Sequence, residues 1–269
     1  MLTPLINVAT AALYMSAGGM LLRRLLSGGD EAGASRTAVL GLSAAAVILH
    51  AVLLVSTMTA EGGLSLGFTS TASLVAWAIA VIFLLVTLLR PVEVLDVIVL
   101  PIATLAVILA WVWPAAELAK APSMLLNVHL VISVLAYSFL TLAMAQALLL
   151  ALQERRLREH HPGRLIRVLP PLQTMEQLLF QLITVGFLLL TLTLVSGVFF
   201  ADEVFGKPLV FNHKTVLSIT AWFIFAVLLL GRRQFGWRGR KAINWTLGGF
   251  AVLLLAYFGT KFILEFLVS

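Results

Sequence analysis

The chain has five histidines and no cysteine. Three of the histidines, His50, His129 and His213, fall inside or beside strongly apolar stretches. An imidazole within a lipid-spanning helix is costly to leave exposed to hydrocarbon, so each must face a partner or a cavity. His50 reads either as a ligand or as a hydrogen-bonded structural histidine. His129 heads a polar stripe with Ser133 and Tyr137, spaced i, i+4 and i+8, so that all three share one helix face. His213 closes a loop that starts at Gly197 and carries Phe199, Phe200, Phe205 and Phe211, with Lys207 and Lys214 among them. Aromatic rings beside a histidine and two lysines form a surface suited to a flat, anionic ligand. His160 and His161 are adjacent in an arginine-rich loop; with no third ligand close in sequence, they read as solvated loop residues rather than a metal site.

Other chemistry is missing from the sequence. Without cysteine there is no disulfide, no dithiol and no thioether attachment point. No serine nucleophile with a paired base, no phosphate-binding glycine loop and no HExxH motif occurs. The expectation is a protein that binds or passes something, not an enzyme.

The elements that must position these residues are membrane spans. Hydrophobic residues make up 61% of the chain and charged residues 11%, and mean hydropathy is +1.06, far from the composition of soluble domains. About 20 apolar residues cross a bilayer core. Eight stretches qualify, near 5–22, 38–58, 69–89, 94–113, 125–152, 178–198, 215–231 and 243–263. The expected fold is therefore all-α: a polytopic integral membrane protein of about eight transmembrane helices forming a single transmembrane domain over 1–269. Residues 5–22 read as a retained span, because neither a basic flank nor a cleavage motif accompanies them.

Net charge is +6, but the arginines lie in short runs between apolar segments. That pattern encodes membrane topology rather than nucleic-acid binding. Fourteen of the 18 Lys and Arg fall in the connections after spans one, three, five and seven. By the positive-inside rule these connections are cytoplasmic, which puts both termini and the Gly197–Lys214 loop outside. Pro101 should kink span four, and Trp111 and Trp113 suit an aromatic belt at its outer end. Pro170 and Pro171 should start a helix whose first turns, with Gln173, Glu176, Gln177 and Gln181, are expected to lie along the inner interface. Trp237 reads as an interfacial anchor, and Lys261 with Glu265 as a surface i, i+4 pair.

Without any gap, Gly197 to Ala226 resembles the tryptophan-rich haem-handling segment of the cytochrome c assembly membrane proteins, the CcsA/CcmC/HemX-like family, whose pattern is close to GxxWAxExWGxYWxWDPKExWxxxxWxxxA. Gly197, Ala201, Glu203, Gly206, Lys214, Trp222 and Ala226 match unchanged. Phe200, Phe205, Leu209 and Phe211 replace tryptophans, Asn212 replaces aspartate and His213 replaces proline. The chain is thus most similar to members with a degenerate tryptophan-rich segment. The resemblance covers residues 62–269. The stretch around His129, Ser133 and Tyr137 is similar to the family's histidine-bearing segment, whose histidine is an outer haem ligand. Leu230 stands where the family carries a further histidine, and none follows His213.

The resemblance implies a haem cofactor and a place in the bacterial inner membrane. Its implied haem-binding set is His129, His213 and His50, with Phe200, Phe205 and Phe211 packing on the macrocycle and Lys207 and Lys214 pairing its propionates. His129 and His213 are the implied iron ligands, expected to turn toward one outer pocket as spans six and seven pack beside spans two and five. The partners that follow are the lipid bilayer, haem and another membrane protein. Two functions remain open: haem binding at the outer face without covalent chemistry, or a scaffold that has lost haem and serves as partner or regulator of another membrane protein such as a transporter.

Overall fold

The computed structural model describes residues 2–27, 35–58, 64–65, 67–89, 96–114, 118–119, 124–159, 169–199 and 213–259. In these residues the chain forms eight helices: α1 (Leu2–Ser27), α2 (Arg36–Met58), α3 (Phe68–Leu89), α4 (Asp96–Val112), α5 (Met124–Arg158), α6 (Leu172–Phe199), α7 (His213–Phe235) and α8 (Arg240–Leu254), the last continued by a π-helical turn, Leu255–Gly259. Seven are long and apolar enough to cross a membrane. The other, α4, has 17 residues, or about 25 Å of helix, the lower limit for a span. Helices satisfy every backbone polar group within the segment, which is why an apolar chain in hydrocarbon takes this form. Two short strands, β1 (Leu64–Ser65) and β2 (Leu118–Ala119), pair antiparallel and tie the α2–α3 and α4–α5 connections together. The structure is therefore the all-α polytopic architecture that the hydropathy pattern predicts.

The chain divides into two compact units. The first comprises Met1–Ala121 with Gly163–Leu169, and the second Pro122–Pro162 with Pro170–Ser269. In the first, α1 packs on α2 and α4, and α3 also packs on α2 and α4, closing a four-helix ring. In the second, α5 packs on α6 and α8, and α7 on the same two, closing a ring of the same order. Span two clusters with α1, α3 and α4 in the first unit, and spans five, six and seven cluster in the second. Sequence periodicity could not foresee this, because it shows which face of a helix is buried but not which neighbour covers it.

Hydrogen bonds at the helix ends fix the antiparallel order within each unit. In the first, Arg36 donates to the Thr87 carbonyl at 2.6 Å and the Thr87 hydroxyl donates to Asp96 Oδ2 at 3.0 Å, so the start of α2, the end of α3 and the start of α4 meet at one end. Arg24, at the end of α1, lines the same small pocket with Arg36. At the opposite end, Thr69 donates to the Trp113 carbonyl at 2.7 Å. There Trp111 and Trp113 are exposed, consistent with a belt at the headgroup level.

In the second unit, Gln146 and Gln153 on α5 donate to the carbonyls of Met175 and Pro170, at 3.0 and 2.9 Å. Both glutamines are buried, and they dock the start of α6 against α5. Pro171 caps that start, its carbonyl accepting from Thr174 and Met175. From there α6 is one continuous helix of 28 residues. This corrects the expectation of an interfacial segment before span six. Glu176 gives the reason: it is buried, accepting from Arg238 Nε at 3.0 Å and from the Gly239 amide at 2.7 Å. Its carboxylate therefore faces the α7–α8 turn rather than headgroups. Gly236 and Gly239 in that turn adopt φ of 61° and 54°, a region glycine enters without strain. Close packing elsewhere depends on small residues, as at membrane helix interfaces generally. A Cβ on Gly186 of α6 would stand 2.7 Å from Leu140 Cγ of α5.

Candidate functional site

His129 lies in the second turn of α5, and Ser196 in the last turn of α6. Because the two helices are antiparallel, these turns meet, and His129 Nδ1 lies 2.8 Å from Ser196 Oγ. The Ser196 hydroxyl donates its own proton to the Thr193 carbonyl at 3.1 Å. Ser196 Oγ therefore accepts from Nδ1–H, and the lone pair of the neutral ring resides on Nε2. Nε2 has no hydrogen-bond partner among the described residues. The imidazole is half-buried and packs beside Gly197, where a Cβ would make an ordinary van der Waals contact of 3.5 Å with His129 Cε1. A histidine with Nδ1 anchored and Nε2 free is what an axial ligand to iron requires.

The rest of the stripe on α5 separates once partners are seen. Ser133 donates back to the His129 carbonyl at 2.7 Å, which satisfies the hydroxyl within its own helix. Tyr137 donates to the Leu253 carbonyl of α8 at 3.1 Å and packs against Tyr257 and Phe258 at ring-centre distances of 5.9 and 6.1 Å. One face of α5 therefore serves two neighbours, α6 near its start and α8 two turns further along.

His50 stands differently. It is 1% exposed, with Tyr14 Oη 3.2 Å from Nδ1 and Ser73 Oγ 2.9 Å from Nε2. The Tyr14 ring meets it edge-on, with centroids 5.8 Å apart. Both ring nitrogens are engaged, joining α1, α2 and α3 through one side chain. Ligation through His50 would have to break one of these bonds inside an apolar bundle, at a desolvation penalty of about 1–3 kcal/mol for the orphaned partner.

His213 is the first residue of α7 and is exposed. No hydrogen bond or ring contact joins it to His129 among the described residues. Lys214 follows it, half-buried. Phe200, Phe205, Phe211 and Lys207 lie outside the described residues, as do His160, His161, Lys261 and Glu265. Among the described residues no group of three or more His, Asp or Glu converges to hold a metal. From the tryptophan-rich pattern, Trp222 is described. It donates to Thr191 Oγ1 at 2.8 Å and stacks on Phe187 at 5.4 Å, locking α7 against α6 just inside the His129–Ser196 pair's helices.

Sequence reasoning found His129 and His50 but missed their partners. Ser196 was legible only as a lone hydroxyl in an apolar run directly before Gly197. Tyr14 and Ser73 gave the same weak signal, a polar group inside a span.

An all-helical chain with seven helices long and apolar enough to cross a membrane defines a class, the polytopic integral membrane proteins. The chain belongs to the cytochrome c assembly protein family, which it matches over residues 37–268. It is 37% identical over 147 residues to the inner membrane protein YpjD of Escherichia coli, an alignment spanning 55% of this chain and 54% of that one. An uncharacterised 28.8 kDa protein of Azospirillum brasilense is 34% identical over 149 residues, 55% of each chain. The cytochrome c biogenesis protein CcsA of Gloeobacter violaceus is 33% identical over 97 residues, 36% of this chain and 29% of that one. The alignments thus span about half the length of the first relatives, and less of the CcsA protein. With its apolar helices and its similarity to YpjD, the protein is a multi-pass protein of the bacterial inner membrane.

Proposed function

We propose that this protein takes part in cytochrome c biogenesis by holding haem at the outer face of the membrane, with His129 Nε2 as an axial ligand. The observation that carries this reading is the Ser196–His129 pair: Nδ1 is tied back, the tautomer is set, and Nε2 is left free on a half-buried ring. Family membership supports the class of activity. Haem, when bound, supplies an iron centre that accepts imidazole; Ser196 orients that imidazole through its Nδ1. His213 and Lys214 sit at the start of α7, where an exposed imidazole and an ammonium suit a second ligand and a propionate. The role is one of binding and transfer, without covalent chemistry of the protein's own.

A second reading draws on the engaged nitrogens of His50 and on the lack of contact between His213 and His129. In it the helical scaffold persists as a partner or regulator of another membrane protein. The absorption spectrum of the protein purified in mild detergent from haem-replete cells separates the two. A Soret band that His129→Ala removes supports ligation. No haem in the wild type, and no His129-dependent change on adding haem, leaves the scaffold reading.

A further inference from the structure

The second unit has an arginine-lined cleft between the end of α5 and the start of α8. It encloses about 330 Å³ and is lined by Ala151, Glu154, Arg155, Arg158, Arg240, Ile243 and Asn244. Three arginines and one glutamate from two helices line it. The positive-inside rule explains why basic residues gather at this end of the protein. It does not explain why they converge on a concave surface rather than spread over it.

The existing partners of these arginines are weak. Arg158 pairs with Glu154 and Arg155 with Glu159, both i, i+4 on the same helix. Arg155 and Arg158 are exposed, and such pairs contribute only about 0.3–0.5 kcal/mol. Arg240 is exposed and forms no ion pair among the described residues. A phosphate offers guanidinium groups charge-assisted, bidentate bonds, and the exposed pairs it would replace contribute little. Asn244, one turn beyond Arg240, adds an amide donor.

The surroundings of the cleft are amphipathic. On α5, Leu148 and Leu152 continue the exposed face that carries Arg155, one and two turns deeper into the membrane, at 49% and 46% exposure. On α8 the exposed positions that follow Asn244 are Gly248 and Ala251, and a Cβ on Gly248 would meet nothing within 4 Å. A basic cleft thus opens onto a smooth apolar surface. Trp237 and Trp245, with ring centres 5.4 Å apart at the same end, mark the headgroup depth.

We propose that this cleft is a binding site for the phosphate of an anionic phospholipid of the inner leaflet, with the acyl chains lying along Leu148, Leu152 and the Gly248 face. Basic pockets between helices on the cytoplasmic side are suited to such headgroups. The inference does not depend on haem, so it stands or falls separately from the proposed function.

The test uses the full chain in dodecyl maltoside, titrated with phosphatidylglycerol, phosphatidylcholine or inorganic phosphate. It reads the thermal unfolding midpoint together with lipid adducts in native mass spectrometry. Phosphatidylglycerol should raise the midpoint saturably and give a retained adduct, while phosphatidylcholine and inorganic phosphate should do neither. R240Q should raise the half-saturating lipid concentration about fivefold, and R155Q/R240Q about 25-fold, on the scale of about 1 kcal/mol per arginine near a charged surface. R233Q removes an exposed arginine at the same end but outside the cleft, and should leave the titration unchanged. Equal shifts from R233Q and R240Q would mean diffuse surface charge and overturn the site. Saturation by inorganic phosphate would make it a soluble-anion site, and an equal response to phosphatidylcholine would reduce it to acyl packing; either result overturns the proposal.

Discussion

Ser196 Oγ lies 2.8 Å from His129 Nδ1, and this bond decides which nitrogen of the imidazole is available. Through it the last turn of α6 sets the tautomer of a residue on α5. Groups that hold the second nitrogen of a ligating histidine typically change affinity 10–100-fold when removed. Ser196→Ala should therefore weaken haem binding by about that factor while keeping a Soret band, and Ser196→Thr should restore much of the affinity. Haem titration of the three proteins checks this. An affinity unchanged in Ser196→Ala would remove Ser196 from the site.

His50 provides the contrast. With Tyr14 and Ser73 on its two nitrogens, it fastens three helices of the first unit, and its replacement orphans two buried hydroxyls. His50→Ala should destabilise the protein by about 1–2 kcal/mol, a range set by the penalty for unpaired groups and the modest value of such bonds between membrane helices. The spectrum of any haem held through His129 should not change. Unfolding in mixed detergent micelles measures the first effect and absorption the second. A lost Soret band with stability unaltered would make His50 a ligand.

The eight helices were legible in the sequence because a bilayer demands about 20 apolar residues per span and little else. His129 was legible because a polar stripe in such a span needs a partner. The partners were not legible. Ser196 is 67 residues away and Tyr14 is 36 residues from His50, and hydropathy says nothing about which helices adjoin. Glu176 shows the same limit. A glutamate among glutamines at a helix start reads as interfacial, yet a turn 62 residues later folds over it.

That glutamate is also a stability determinant. Arg238 is 55% exposed at its side chain, so the ion pair alone contributes little. The buried carboxylate also accepts from the Gly239 amide at 2.7 Å, and that donor has no evident substitute once the carboxylate is gone. Glu176→Ala should therefore destabilise by about 1–3 kcal/mol. Glu159→Ala, which breaks only an exposed i, i+4 pair, should stay within about 0.5 kcal/mol. Equal losses in the two variants would show that the Gly239 contact carries no weight.

The orientation of the bundle follows from where the arginines lie. Arg24 and Arg36 meet at one end of the first unit. In the second, Arg155, Arg158 and Arg240 share a cleft. The opposite end of the first unit carries the paired connections of β1 and β2, and that of the second carries His129. Short basic connections stay in the cytoplasm, so the β1 and β2 connections and His129 should be on the outer side. Because the chain has no cysteine, single substitutions need no altered background. Cysteine at Glu61 or Lys120 should react with a membrane-impermeant maleimide in intact cells. Cysteine at Arg156 or Arg233, two exposed positions without an ion-pair partner among the described residues, should react only after the membrane is opened. Labelling of Arg156→Cys in intact cells would invert the topology, placing His129 on the cytoplasmic side and taking the lipid cleft out of the inner leaflet.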